Sequence, residues 1–145
     1  MERVRARETF ELRHRVLRRG TTPAGVGAPD DDQPDSAHFV VRESGRVVAT
    51  GTVRRRRPPP PDSADGWQVR GMAVEPEMRN KGYGSRILSA VLDHVGGHGG
   101  GLIWCHARLG ALSLYRRAGL EPVGEPFEDE VAGLQVLMIG RVENR

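Results

Sequence analysis

Cysteine is nearly missing from this sequence. Cys105 stands alone among 145 residues, so no disulfide forms within the chain. Small exported domains commonly depend on disulfides, so the single thiol points to a cytoplasmic protein. Long apolar runs are missing too: none approaches the roughly 20 residues that a membrane-spanning helix needs. The opening "MERVRARETF" is rich in charge and lacks the apolar stretch of a secretory signal. Aromatic residues are scarce, at 5%. Nucleic-acid binders spread Lys and Arg over a face and set aromatic rings among them. Here the net charge of +3 rests on the run Arg54–Arg57; without it the balance is 3 − 4 = −1. No nucleic-acid or membrane partner is therefore expected. A zinc site also lacks its ligands. His94 and His98 are four apart and Cys105-His106 follows, but His98 lies in a glycine run and no tetrahedral set is evident, so no metal is expected.

What is present suits a globular chain. Apolar residues make up 37% and charged residues 28%, enough for one domain with one core over residues 1–145. Between Arg7 and Arg18, Phe10, Val16 and Leu17 share one helical side with Leu12 nearby, which predicts an amphipathic helix. Residues 20–36 are rich in Gly, Pro and Asp and read as a loop. "HFVVRESGRVVATGTV" holds two β-branched runs around "ESGR" and predicts a hairpin. The next segment, "RRRRPPPPDSADG", loses backbone donors to its prolines and reads as an exposed connection with polyproline character. "WQVRGMAV", from Trp67, is the next strand. Ile87, Leu88, Val91, Leu92 and Val95 then recur at helical spacing, and "GGHGGG" closes that helix. "LIWCHA" reads as a buried strand and "ALSLYRRAG" as a helix capped by Gly119. The remainder reads as a short strand, an acidic turn and a last strand from Leu134 to Ile139. Helix, hairpin, strand, helix, strand, helix and strand pair together predict an α/β domain: a mixed central β-sheet flanked by helices.

Chemistry concentrates in "RNKGYGSR", Arg79 to Arg86, where a strand hands over to a helix. A helix start exposes its first backbone N–H groups and carries about half a positive charge. Glycines let an anion approach that backbone, and Arg79 and Lys81 add full charges, so the turn suits a phosphate or pyrophosphate. It is neither a Walker A loop nor the dinucleotide fingerprint, because "GYGSRI" offers no Gly-Lys-Ser/Thr and position 87 is Ile rather than Gly.

The stretch Val-x-Pro-x-x-Arg-x-x-Gly-x-Gly, from Val74 through Gly84, resembles the acetyl-coenzyme A-binding motif of the GNAT superfamily of N-acetyltransferases. "ALSLYRRAGLEPVGE" downstream is similar to the segment that follows the family's fifth strand, and "HAR", "ALSLYRRAGL" and "EPFED" together are similar to its ElaA-like branch. Asn80 stands where a glycine is common, and the amino-terminal strand is very short or absent. The resemblance implies that Arg79, Asn80, Lys81, Gly82, Tyr83, Gly84 and Ser85 wrap the pyrophosphate of coenzyme A. It also implies that Met72, Ala73 and Val74 present a strand edge to the pantetheine arm, with a splay from "LIWC" and a bulge near Val74 supplying an oxyanion hole.

Amide formation from a thioester needs a neutral amine, a stabilised carbonyl oxygen and a proton for the leaving thiolate. By the resemblance, Tyr115 is the acid. His106, next to the cofactor strand, is the base proposed here, with Glu128 and Asp129 as alternatives. Glu125, Glu128, Asp129 and Glu130 are placed to draw in a cationic amine. The implied activity is N-acetylation of a small-molecule or peptide amine in a ternary complex with acetyl-coenzyme A, by a monomer or homodimer. The second reading is a non-catalytic coenzyme A-binding module on the same fold.

Overall fold

The computed structural model describes residues 1–16, 33–59, 65–129 and 133–145. Leu17, Arg18, most of the glycine- and proline-rich loop (to residue 32), residues 60–64 and Glu130 lie outside the described residues. A seven-stranded sheet runs through the molecule in the order β1-β2-β3-β4-β5-β7-β6. Its strands are β1 (Glu2–Val4), β2 (Ala37–Glu43), β3 (Arg46–Arg55), β4 (Trp67–Val74), β5 (Gly101–Arg108), β6 (Glu121–Asp129) and β7 (Gly133–Val142). Every pair is antiparallel except β4 with β5. Helices α1 (Phe10–Val16), α2 (Tyr83–Gly97) and α3 (Leu112–Arg117) flank it. The expected mixed sheet is present, and the edge strand left in question is a three-residue β1 on β2.

Local chemistry explains the elements. Ser44 and Gly45 both take positive φ, 52° and 79°, which is the twist a two-residue hairpin turn needs. In α2, Ile87, Leu88, Val91 and Val95 turn into the core, as their spacing predicts. They pack with Val53, Trp67 and Val69 of the sheet and with Tyr115 and Leu120 from the α3 region. On the opposite face α1 packs over β3 and β4. Burying each large apolar side chain contributes about 1.5–3 kcal/mol, so this two-sided packing supplies the main stabilisation of the sheet.

Three expectations are corrected. Arg54 and Arg55 belong to β3 rather than to an exposed connection. Arg54 donates to Gln68 Oε1 at 2.8 Å, and the Arg55 guanidinium lies 4.1 Å from the Trp67 ring centroid. Neighbouring strand chemistry outweighs the charge of the run there. The acidic stretch is strand, not turn: Phe127, Glu128 and Asp129 pair with Gln135, Leu134 and Gly133. A bulge at Gly124–Pro126 takes up Pro126 by letting three residues face Val136 alone, while Pro122 stays in register opposite Met138. The last strand runs on to Val142 because its far end pairs with β5, Val142 opposite Gly101. Among the described residues no helix is long and apolar enough to cross a membrane.

Candidate active site

β4 and β5 pair only at Trp67↔Ile103 and Gln68↔Trp104. Beyond that point β4 stays on β3 as far as Ala49↔Val74, while β5 stays on β7 as far as Arg108↔Gln135. The two strands therefore part, and the β5-facing edge of Met72, Ala73 and Val74 is left without a strand neighbour. The splay expected between these segments is present.

The bulge lies earlier than expected. Thr50 pairs with Ala73 and Thr52 with Arg70, so Gly71 and Met72 together face Gly51. Gly71 takes φ +63°, and a Cβ there would stand 2.7 Å from Arg13 Nε. The bulge sits at Gly71–Met72 because only glycine accepts both that backbone and the guanidinium pressed on it. Arg13 is 1% exposed; it donates to Thr52 Oγ1, and His38 Nδ1 lies 2.7 Å from the same hydroxyl. A Cβ at Gly51 would collide with Met72 Sδ, so the bulge is accommodated by glycine on both strands.

After β4 a 3-10 turn, Pro76–Met78, leads into the basic glycine turn. Asn80 has φ 64° and Gly82 φ 81°. Asn is the residue that best tolerates this left-handed backbone after Gly, which accounts for its presence at a position where glycine is common. Helix α2 then starts at Tyr83 with no side-chain cap and no acidic residue in its first turn. Its leading N–H groups have no intrahelical acceptor, so the turn offers donors and positive charge together. Arg79 Nε donates to Val74 O at 3.3 Å, and Lys81 reaches back to Met78 Sδ at 3.7 Å. The Tyr83 hydroxyl donates to the Glu43 carboxylate, which turns that ring toward the β2–β3 hairpin.

Tyr115 is buried on α3, whose Leu114 lies 3.4 Å from where a Cβ of Gly84 would be. Burial drives the Tyr115 hydroxyl pKa far up, the nearby Cys105 thiol adds to this, and Arg108 opposes it. Burial likewise pushes the Cys105 thiol up to about 12. His106 is on the other face. Its strand neighbours Cys105 and Ala107 pack in the core with Tyr115, so strand alternation turns the imidazole away from them. His106 is exposed at its outer edge; partial desolvation by the residues packed around the ring lowers its pKa from the usual 6.5, and the charge of Asp129 opposes that shift. The structure therefore brings Met72–Val74, the turn and the Tyr115 helix to one side of the parted strands, and His106 with Asp129 to the other.

Two aromatic residues escaped the sequence reading. The His106 ring stands edge-on to Trp104, with centroids 5.3 Å apart, and to Phe127 at 5.0 Å. Trp104 was legible, being two residues from His106 on one strand; Phe127 reaches it only across β7. His94 and His98 stack on each other with ring centroids 4.1 Å apart, beside Trp67. Among the described residues no three His, Cys, Asp or Glu side chains gather to hold a metal.

The sequence model of the Acetyltransferase (GNAT) family matches residues 6–120. The uncharacterized N-acetyltransferase YitI of Bacillus subtilis (strain 168) is 25% identical over 135 residues, which span 93% of this chain and 91% of YitI. Escherichia coli ElaA superposes with a TM-score of 0.72 at 18% identity, covering 92% of this chain and 87% of its own. An aminoglycoside 6′-N-acetyltransferase solved with coenzyme A superposes with a TM-score of 0.67 at 14% identity, covering 100% and 99%. The structural likenesses carry the fold, and the family match carries the chemistry. The chain belongs to the acetyltransferase (GNAT) family and is an acyltransferase that uses acetyl-coenzyme A.

Proposed function

We propose that the protein acetylates a primary amine of a small molecule or peptide, by direct attack in a ternary complex. The parting of β4 from β5, followed by the uncapped start of α2, carries this reading. The open edge at Met72, Ala73 and Val74 offers backbone groups to the two amides of a pantetheine arm, as a neighbouring strand would. Arg79 to Ser85 hold the pyrophosphate: the left-handed residues Asn80 and Gly82 curl the backbone, and Arg79 and Lys81 add charge. The bulge at Gly71–Met72 re-aims a β4 amide toward the thioester oxygen.

Proton traffic divides between the two faces. The amine nitrogen attacks the thioester carbon, a C–N bond forms and the C–S bond breaks. Tyr115 gives its proton to the departing sulfur; burial keeps that hydroxyl protonated at any working pH. His106 takes the proton that nitrogen must lose; its lowered pKa leaves it neutral and able to accept near pH 7. Asp129, nearby, favours the imidazolium that results. Solvent exchange then resets both groups. A cytoplasmic setting suits the single buried thiol.

Thiol release from acetyl-coenzyme A, followed across amines, polyamines, aminoglycosides and peptides, tests the reading. A new amide by mass and intersecting double-reciprocal plots are expected. Parallel plots with an isolable acetyl-enzyme would rule out direct attack, and thiol release without any amide would rule out the amine acceptor.

A further inference from the structure

We infer that the acceptor is an amine carried on an aromatic or similarly flat apolar group, whose ring lies against Phe127 while its nitrogen meets His106. The inference rests on the amine-acetyltransferase reading and narrows its substrate class. Trp104, His106 and Phe127 form a row of rings, each edge-on to the next at 5.3 and 5.0 Å. Trp104 is buried, whereas His106 is exposed and Phe127 is 38% exposed, so the row opens to solvent along His106 and Phe127. The sheet register sets Leu137 between His106 and Val123, which is 45% exposed. Helix α1 packs over β3 and β4, on the other side of the parted strands. A surface strip with apolar members Val123 and Phe127 therefore lies beside the exposed imidazole that receives the proton.

Charge selects what fills the strip. The charged residues of β6 are all acidic, and Asp129 is close enough to act on His106. A cation is drawn to this edge, while the rings favour an apolar body beside it. A polyamine or an aminoglycoside supplies the charge and leaves Phe127 and Val123 in water. A cationic nitrogen on a short spacer from a ring uses both features. A second copy of the chain is the less suitable occupant, because Pro122 and Pro126 withhold donors along the β6 edge and its carboxylates repel a like edge.

Steady-state kinetics with 2-phenylethylamine, butylamine and spermidine test this on the whole chain. For the wild type, kcat/KM for 2-phenylethylamine should exceed that for butylamine by roughly tenfold, the scale of one good aromatic contact. Phe127→Ala should reduce that ratio by about the same factor, Phe127→Tyr should preserve it, and both should bind coenzyme A as the wild type does. A wild-type ratio near one, a preference for spermidine, or a ratio unmoved by Phe127→Ala would overturn the inference. So would a dimer in sedimentation that Phe127→Ala dissociates, since the face would then be covered by a copy. Acetylation of butylamine or spermidine with none of 2-phenylethylamine removes this inference and leaves the amine reading standing. Coenzyme A binding with no amine acetylated removes both.

Discussion

In the proposed mechanism Tyr115 and His106 divide the proton work across one strand, and each role can be questioned with a single substitution. Tyr115→Phe keeps the buried ring and deletes the hydroxyl. Turnover should fall by ~10²-fold or more with coenzyme A affinity little changed, as loss of a general acid implies. Wild-type turnover in that variant would leave Tyr115 a packing residue. For His106 the sign follows from its environment. Partial desolvation lowers its pKa below 6.5, against the pull of Asp129, so the accepting neutral form is lost only when pH drops beneath that lowered value. The wild-type rate should rise with pH through that ionisation. His106→Gln should remove the limb and depress turnover near neutrality, with partial recovery at alkaline pH as more free amine forms. An unaltered pH–rate profile would exclude His106. The helix that carries Tyr115 was legible because its sequence signals are contiguous. Phe127 and Arg13 were not, because each acts on a segment distant in sequence: Phe127 on His106 across β7, and Arg13 on the backbone of Gly71.

At the scale of elements, the turn between β4 and α2 and the bulge within β4 do different work. Gly84 lies inside α2, where a Cβ would make an ordinary 3.4 Å contact with Leu114. Gly84→Ala should therefore stabilise the fold by about 0.5–1 kcal/mol in urea unfolding, and should keep coenzyme A affinity. A loss of either would mean that the backbone is approached more closely there than at Gly82. Gly71 is the reverse case. With φ +63° and Arg13 Nε only 2.7 Å from a Cβ, Gly71→Ala must strain the bulge or dislodge a buried guanidinium. A destabilisation of about 1–3 kcal/mol and a lower kcat at near-normal coenzyme A affinity are expected. Normal stability and turnover would show that the bulge neither needs this glycine nor serves the reaction. Helix α2, the hairpin and β4 were legible, since their apolar period and turn residues are local. The bulges at Gly71 and Gly124 were not, because a register shift is set by the partner strand. Arg54 and Arg55 misled for a related reason: a charged run reads as solvated until Gln68 and Trp67 are seen opposite it.

For the whole molecule, the consequence of the sheet order is one opening at a parallel junction between two antiparallel halves. Element order foretold the mixed sheet. Where β4 leaves β5 depends on how each strand's other edge is held, by β3 and by β7, and a single sequence carries that only through resemblance to a family. The opening and the uncapped α2 start lie next to each other along the chain, and coenzyme A bridging them is the central claim. Gly82 is the sharpest place to test it. It takes φ +81°, and a Cβ there would meet nothing within 4 Å, so a side chain at this position projects into open space before the helix N-terminus rather than into the core. Gly82→Glu sets a carboxylate where the proposed function puts the pyrophosphate, with repulsion added to backbone strain. The direct measurement is calorimetric titration of coenzyme A into wild type and Gly82→Glu, with circular dichroism and urea unfolding reporting the fold of each. Binding by the wild type and its loss in a folded Gly82→Glu variant is the predicted result; equal affinity in the two would contradict the account.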